Sequence, residues 1–233
     1  MARKSRIHYP GAVYHVILRG NAGDPVFFDD SDRYRLYLIL QHAVERFGSR
    51  IHAFCLMTNH IHLVMQVGDI PLSRIMQNVT LRYTKWINLT QERTGHVFQG
   101  RYKALLVDAD TYLLELVRYV HLNPVRAGAA GNVAEWNWTG HRAYAGTETL
   151  PWLTTNWILG VLSPRETEAR AAYLSFVNDG VSEGHREEFH SGTCEGRLLG
   201  DDCFIDAVLS RASERRMRTS IKDILYVVCD VYD

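Results

Sequence analysis

Apolar and polar positions change period along the first 126 residues, and the period predicts which segments are strands and which are helices. Tyr14 to Arg19 is an apolar run between Pro10-Gly11 and Gly20-Asn21, which predicts a β-strand bounded by turns. From residue 30 to 47 the apolar side chains recur at intervals of three and four, and a glycine follows. This pattern predicts an amphipathic helix.

The next apolar stretch, residues 51–67, is too long for a single strand and is interrupted by Thr58-Asn59, two residues that favour turns. It predicts two antiparallel strands, 51–57 and 60–67. Pro71 then opens a second helix, because proline is preferred at the first helical position. A last strand is expected within 96–107, followed by a third helix that Asp110 caps and Pro124 ends.

The order of elements is strand, helix, strand, strand, helix, strand and helix. It predicts the α+β class, specifically a ferredoxin-like split βαβ fold with an antiparallel sheet and helices on one face. We expect this domain to span residues 1–146. Residues 147–200 are expected to be a helical segment and a flexible linker, and residues 201–233 a mainly helical C-terminal extension.

The zero net charge hides an asymmetry between the two parts of the chain. Residues 1–128 hold 16 Lys and Arg against 10 Asp and Glu, a net charge of +6, and the remainder carries −6. The basic part also holds 8 of the 11 histidines. This distribution permits phosphate binding, and a merely solvated surface explains it equally well.

Neither the cysteines nor the hydropathy indicates a special environment. The four cysteines show no C-x-x-C spacing, which argues against a zinc ribbon or a disulfide framework. No apolar run approaches the length of a membrane helix, and the basic N-terminus leads into no apolar signal region. We expect a cytoplasmic protein without a membrane partner.

His60 and His62 stand one residue apart inside an apolar run. If the run is a strand, both imidazoles point to the same side while Ile61 and Leu63 point to the other. Two convergent neutral imidazoles are half of a metal site. The pair could equally line a polar groove or satisfy buried hydrogen bonds.

Tyr119 and Asn123 lie four residues apart at the end of the third helix, so they share one of its faces. An amide oxygen next to two imidazoles suits a hard or borderline divalent cation, Mg²⁺ or Mn²⁺, with open coordination positions. A tyrosine beside such a metal can attack a phosphate. With 12 tyrosines in the chain, an ordinary packing role for Tyr119 remains open.

Five motifs follow one another along the chain: Tyr9-Pro10-Gly11-Ala12-Val13-Tyr14-His15-Val16, Leu56-Met57-Thr58-Asn59-His60-Ile61-His62-Leu63, Phe98-Gln99-Gly100-Arg101-Tyr102-Lys103, Tyr119-Val120-His121-Leu122-Asn123-Pro124-Val125-Arg126-Ala127-Gly128 and Trp138-Thr139-Gly140-His141-Arg142-Ala143-Tyr144. Together they resemble the REP-associated tyrosine transposases, within the single-tyrosine HUH transposases. The resemblance covers roughly residues 5–150, with Thr58 and His141 as mild departures.

The resemblance implies that His60 and His62 are metal ligands, that Tyr119 is the nucleophile and that Asn123 holds the position of the third protein ligand. It further implies cleavage of single-stranded DNA near a hairpin, leaving a 5′-phosphotyrosine and a free 3′-OH, by a monomer or a homodimer. Candidate contacts to DNA are Arg19, Arg101, Lys103 and Arg126.

The C-terminal part offers weaker signals. His185, His190 and Cys194 fit no zinc spacing. The basic cluster Arg211, Arg215, Arg216 and Arg218 is either a DNA contact or a solvated helix face. Residues 220–232 resemble the first helix of the helix-turn-helix DNA-binding module that ends the bacterial replication initiator.

Two other functions remain open at this stage. One is a non-catalytic protein that binds hairpin DNA and uses the histidine groove only for phosphate contacts. The other is a metal phosphodiesterase that uses water and forms no covalent adduct.

Overall fold

The computed structural model describes residues 6–184 and 186–212. The strands are β1 (Val13–Arg19), β2 (Arg50–Leu56), β3 (His60–Gln66), β4 (Lys103–Val107) and β5 (Leu198–Leu199). The helices are α1 (Asp30–Phe47), α2 (Leu72–Thr90), α3 (Ala109–His121), α4 (Asn123–Arg126), α5 (His141–Ala145), α6 (Asn156–Leu162), α7 (Glu166–Asp179) and α8 (Glu188–Ser191). Short 3-10 turns occupy Asn21–Gly23, Val133–Glu135 and Gly180–Ser182, and residues 202–212 are also helical.

The sheet has the order β2-β3-β1-β4-β5. The first four strands pair antiparallel in the arrangement of the split βαβ fold, which confirms the predicted fold class. β5 comes from the C-terminal part and pairs parallel with β4, so the complete sheet is mixed. β1 lies between β3 and β4, which puts its side chains at the centre of the sheet.

The two faces of the sheet carry different kinds of residues. Phe54 and the other apolar side chains of one face pack against α1, where Tyr37 contacts the Phe54 ring edge-on at 5.3 Å. The opposite face carries His15 and His62, and Tyr119 of α3 lies against His15 with ring centroids 6.4 Å apart. Helices therefore cover both faces of the sheet, where the sequence pattern predicts one covered face.

The region expected to form the last strand divides into two parts. Lys103–Val107 forms strand β4, and the residues before it form a loop in which Phe98 makes an isolated bridge to Gly20 and Gly100 has a φ of +64°. That left-handed conformation interrupts a strand, because it turns the chain out of the extended region.

The segment expected to be a flexible linker folds back onto α3 in the structure. Arg118 of α3 is buried, and its guanidinium binds Glu115 and Glu183 at 2.6 and 2.5 Å and stacks on Phe176 of α7. The Tyr173 hydroxyl of α7 forms a hydrogen bond with Nδ1 of His121 in α3, with the two atoms 2.8 Å apart. Residues 213–233, with Arg215, Arg216, Arg218 and the segment that resembles a helix-turn-helix, lie outside the described residues.

None of the helices within the described residues is long and apolar enough to cross a membrane.

Candidate active site

Three histidines converge on the sheet face beneath α3. His62 lies opposite Ile17 in the β1–β3 register, and His15 lies two positions further along the same face of β1. The His15 and His62 rings stack 5.1 Å apart, and the His60 ring meets His62 edge-on at 5.1 Å. The predicted convergence of His60 and His62 follows from the period-two alternation of strand β3.

Burial keeps all three imidazoles uncharged. His15 and His62 are fully buried, and burial is the largest cause that lowers the pKa of His15 to about 3 and the pKa of His62 well below its usual value. His60 is half-buried, and burial, followed by the nearby positive charge of Arg19, lowers its pKa to about 4. Neutral imidazole is the form that binds a metal.

Both predicted ligands use their Nδ1 atom for a protein hydrogen bond. Nδ1 of His62 lies 2.9 Å from Nε2 of His15, and Nδ1 of His60 lies 2.8 Å from the side-chain oxygen of Asn59. Within the described part of the chain, Nε2 of either histidine has no hydrogen-bond partner. Metal-binding histidines usually show this division, with one ring nitrogen on the metal and the other bound to the protein.

Tyr119 lies in the last turn of α3, with its ring edge-on to that of His15 at 6.4 Å. Its side chain is only 2% exposed, because the Phe189 ring packs 4.8 Å away and Nε2 of His190 lies 2.5 Å from its hydroxyl oxygen. Burial raises the pKa of Tyr119 to about 12, against the opposing effect of Arg126. In this conformation the hydroxyl is protonated at neutral pH.

Asn123 lies one turn beyond Tyr119, at the start of α4. Its amide nitrogen donates to the backbone oxygens of Tyr119 and Val120 at 3.0 and 3.3 Å, which fixes the amide orientation. The side-chain oxygen has no hydrogen-bond partner among the residues that the structure describes. In that same part of the chain, no hydrogen bond or ring contact joins Asn123 to His60 or His62, so its role as a ligand stays a prediction.

The four basic residues predicted to contact DNA divide into two groups. Arg19 lies opposite His60 in the β1–β3 register, Lys103 lies opposite Ile17 in the β1–β4 register, and Arg101 is exposed in the loop before β4. After the larger effect of burial, the charges of Arg19 and Lys103 lower the pKa of His60 and His15, respectively, so these two residues lie near the histidines. Arg126, in contrast, donates to the Tyr119 backbone oxygen at 3.0 Å and stacks over the Tyr119 ring at 4.8 Å.

No group of three or more His, Cys, Asp and Glu side chains in the described ranges is arranged to hold a metal ion. A cation on His60 and His62 would therefore need amide, water or phosphate oxygens for its other positions. Those are the ligands that Mg²⁺ and Mn²⁺ accept, whereas a structural zinc site needs four protein ligands.

Two histidines in this cluster lie outside the set of site residues predicted from the sequence. His15 follows the same strand alternation as His62, but its partnership depends on the pairing of β1 with β3. His190 is 71 residues from Tyr119 along the chain, in a glycine-rich and acidic stretch. No spacing rule connects positions so far apart, so only the fold brings His190 to the site.

Two solved structures are similar to this chain. A structure of the REP-associated tyrosine transposase bound to a REP hairpin matches with a TM-score of 0.54 and 18% identity, over 66% of this chain and 92% of that chain. A crystal structure of a putative transposase from Deinococcus radiodurans R1 matches with a TM-score of 0.37 and 15% identity, over 49% of this chain and 94% of that chain. No curated protein matches the chain in sequence.

The first of these structures shows that the chain shares the fold of that transposase. The family is given by the sequence itself, because residues 8–123 match the family model described as "Transposase IS200 like". The chain belongs to the IS200-like transposases through this domain. The matched segment ends at Asn123, so α7 and α8 lie beyond it.

Proposed function

We propose that this transposase cleaves and rejoins single-stranded DNA next to a hairpin, with Tyr119 as the nucleophile and a divalent cation on His60 and His62. The observation that carries the proposal is that Tyr119 lies against His15, whose ring stacks on that of His62. His60 meets His62 on the same face of the sheet. The REP hairpin bound to the structural relative supports hairpin DNA as the substrate.

The donor set fits Mg²⁺ or Mn²⁺. His60 and His62 offer neutral imidazoles with unpartnered Nε2 atoms, and Asn123 offers an amide oxygen one turn from Tyr119. When bound, the cation would withdraw charge from the scissile phosphate and orient it. The protein residues hold the imidazoles and the phenol in place for that chemistry.

In the proposed step, the Tyr119 oxygen forms a bond to phosphorus while the bond from phosphorus to the 3′ oxygen breaks. The phenol releases its proton to water, and the departing 3′ oxygen takes up a proton to become a 3′-OH. The products are a 5′-phosphotyrosine on the protein and a free 3′ end. Rejoining is the same exchange in reverse, with another 3′-OH as the attacking group.

The proposal requires the Tyr119 hydroxyl to become accessible. The ring of His190 contacts both the Tyr119 ring and the His62 ring, with centroid distances of 5.8 and 6.0 Å. Phe189 is fully buried and anchors α8, so rotation of the His190 side chain, rather than departure of α8, is the smaller movement that opens the site.

Arg19 and Lys103 are candidates to hold the DNA backbone beside the site, because their positive charges lie close enough to His60 and His15, respectively, to affect the pKa of those histidines. Arg101, exposed in the loop before β4, is a further candidate, since cations around a cleft attract and position phosphates. The negative charges of Glu187 and Glu188 raise the pKa of Tyr119, after the larger effect of burial.

The test is to incubate the protein with labelled single-stranded hairpin oligonucleotides and Mn²⁺ or Mg²⁺ and to look for a protein–DNA adduct that survives denaturation. We expect an adduct with the wild type, none with Tyr119→Phe, and a normal level with Tyr112→Phe, a matched tyrosine substitution on α3. Adduct formation should require the cation and should be lost in His60→Ala.

Two outcomes would contradict the proposal in different ways. Cleavage that persists in Tyr119→Phe without an adduct would identify a phosphodiesterase that uses water. Hairpin binding by the wild type with no cleavage under either cation would identify a non-catalytic DNA-binding protein.

A further inference from the structure

His15 connects the predicted metal ligand His62 to the C-terminal part of the chain. Its Nε2 lies 2.9 Å from Nδ1 of His62, and its Nδ1 lies 2.9 Å from the backbone oxygen of Phe189. His15 is completely buried, so no water competes for either ring nitrogen. The three residues form one continuous row of hydrogen bonds.

The row has a defined direction, because a carbonyl oxygen only accepts hydrogen bonds. The proton of the uncharged His15 ring must therefore reside on Nδ1, facing Phe189. Its Nε2 is then an acceptor, so the hydrogen bond to His62 needs a proton on Nδ1 of His62. Nε2 of His62 is left with a lone pair.

His60 reaches the same state by a separate route. The amide nitrogen of Asn59 donates to the backbone oxygen of Gly23 at 3.2 Å, which turns the Asn59 side-chain oxygen toward His60. Nδ1 of His60 donates to that oxygen, and its Nε2 also keeps a lone pair. Both imidazoles of the pair thus have the tautomer that a metal ligand needs through Nε2.

We propose that His15 is a positioning residue for the metal site: held by the Phe189 carbonyl, it fixes His62 in the tautomer that presents the Nε2 lone pair. The proposal rests on the proposed function of His62 as a ligand. It adds that the metal site depends on α8, 65 residues or more beyond the end of the family match.

The first test uses the unmodified, metal-free protein. A long-range proton–nitrogen NMR correlation, recorded well above the usual histidine pKa, distinguishes protonated from unprotonated ring nitrogens. We expect His15 and His62 to carry their protons on Nδ1. A proton on Nε2 of His62 in the wild type would overturn the proposal without any substitution.

The second test compares two substitutions of His15. His15→Phe fills the same space but removes the acceptor, so we expect a substantial fraction of His62 with its proton on Nε2 and about 10- to 100-fold weaker Mn²⁺ binding. His15→Gln retains an acceptor for His62 and a donor for Phe189, and should restore binding to within a few-fold of wild type. Mn²⁺ affinity is measured by the electron paramagnetic resonance signal of the free ion.

His52→Phe is the matched control. His52 is a completely buried histidine of the neighbouring strand β2, and its Nε2 binds Gln66, away from the site. The substitution should leave Mn²⁺ affinity unchanged. Thermal unfolding of each variant shows whether a loss of binding reflects a loss of folded protein.

The outcomes separate this inference from the proposed function. Unchanged Mn²⁺ affinity and an unchanged His62 tautomer in folded His15→Phe would overturn the role of His15 and leave the metal site intact. Absence of Mn²⁺ binding by the wild type would overturn the metal site and, with it, this role for His15. Neither result depends on whether Tyr119 forms an adduct.

Discussion

The hydroxyl oxygen of Tyr119 lies 2.5 Å from Nε2 of His190, so one hydrogen bond joins the candidate nucleophile to α8. The His190 ring contacts the His62 ring as well, so it occupies space beside the Tyr119 hydroxyl. In the proposed reaction, a scissile phosphate would have to displace that ring from the hydroxyl.

Replacing His190 by alanine should therefore speed formation of the protein–DNA adduct. The substitution removes one hydrogen bond, which contributes about 0.5–1.5 kcal/mol, so we expect an increase of about 2- to 10-fold in the rate. The rate is measured with a labelled hairpin oligonucleotide and Mn²⁺. His42→Ala, at an exposed position of α1, is the control, and a slower reaction in His190→Ala would instead identify His190 as the proton acceptor.

Substitution of Lys103 should change the affinity for DNA, whereas substitution of Arg126 should change the rate of adduct formation. Lys103 is exposed at the edge of the site, so Lys103→Ala should weaken DNA binding and reduce the slope of log affinity against log salt by about 0.7–0.9. Arg126 is engaged with the Tyr119 backbone and ring, so Arg126→Ala should leave affinity nearly unchanged and slow adduct formation about tenfold. Filter binding at several salt concentrations and single-turnover kinetics measure the two effects. A salt slope that falls in Arg126→Ala would show that Arg126 contacts phosphate directly.

Acid should destabilise the fold through His141, which is buried beside Tyr173. Burial lowers its pKa from 6.5 to about 4, so between these values the unfolded chain binds a proton that the folded protein does not. The stability that His141 contributes is complete above pH 6.5 and is lost as the pH falls toward 4. A shift of this size corresponds to about 3 kcal/mol.

Urea unfolding measured across this pH range shows whether the free energy of unfolding falls as the pH falls. His15, His60 and His62 have pKa values lowered in the same direction and add to the effect. A His141→Gln variant should therefore show a shallower loss of stability on acidification than the wild type. An identical pH dependence in the two proteins would contradict the role of His141.

Tyr173→Phe should reveal how strongly α7 is attached to α3. The Tyr173 hydroxyl lies 2.8 Å from Nδ1 of His121 and 2.9 Å from Nδ1 of His141, and all three residues are buried. Removing it leaves two buried nitrogens without this partner, at a cost of about 1–3 kcal/mol in the free energy of unfolding. Tyr34→Phe, at an exposed tyrosine, should stay within about 0.5 kcal/mol of wild type, and equal stabilities of the two variants would contradict the attachment.

Much of the fold was predictable from local pattern. Helix α1 ends at Phe47 as the apolar spacing predicts, and β2 and β3 separate at Thr58-Asn59. These elements follow from side-chain periodicity and turn preferences, which act over a few residues. The last strand was predicted within 96–107 and forms only over Lys103–Val107, because apolar content does not report the left-handed φ at Gly100.

The candidate site likewise has features that follow from local sequence pattern and features that depend on the tertiary structure. The sequence by itself determined that His60 and His62 share one side of a strand and that Tyr119 and Asn123 lie one helical turn apart, because both relations depend only on local geometry. Only the tertiary structure decided that His15 forms a hydrogen bond with His62. It also decided that the Arg126 side chain binds Tyr119 instead of extending into solvent, and that His190 forms a hydrogen bond with the Tyr119 hydroxyl. Those contacts join residues between 7 and 71 positions apart, whose meeting depends on strand pairing and on the packing of α8 against α3.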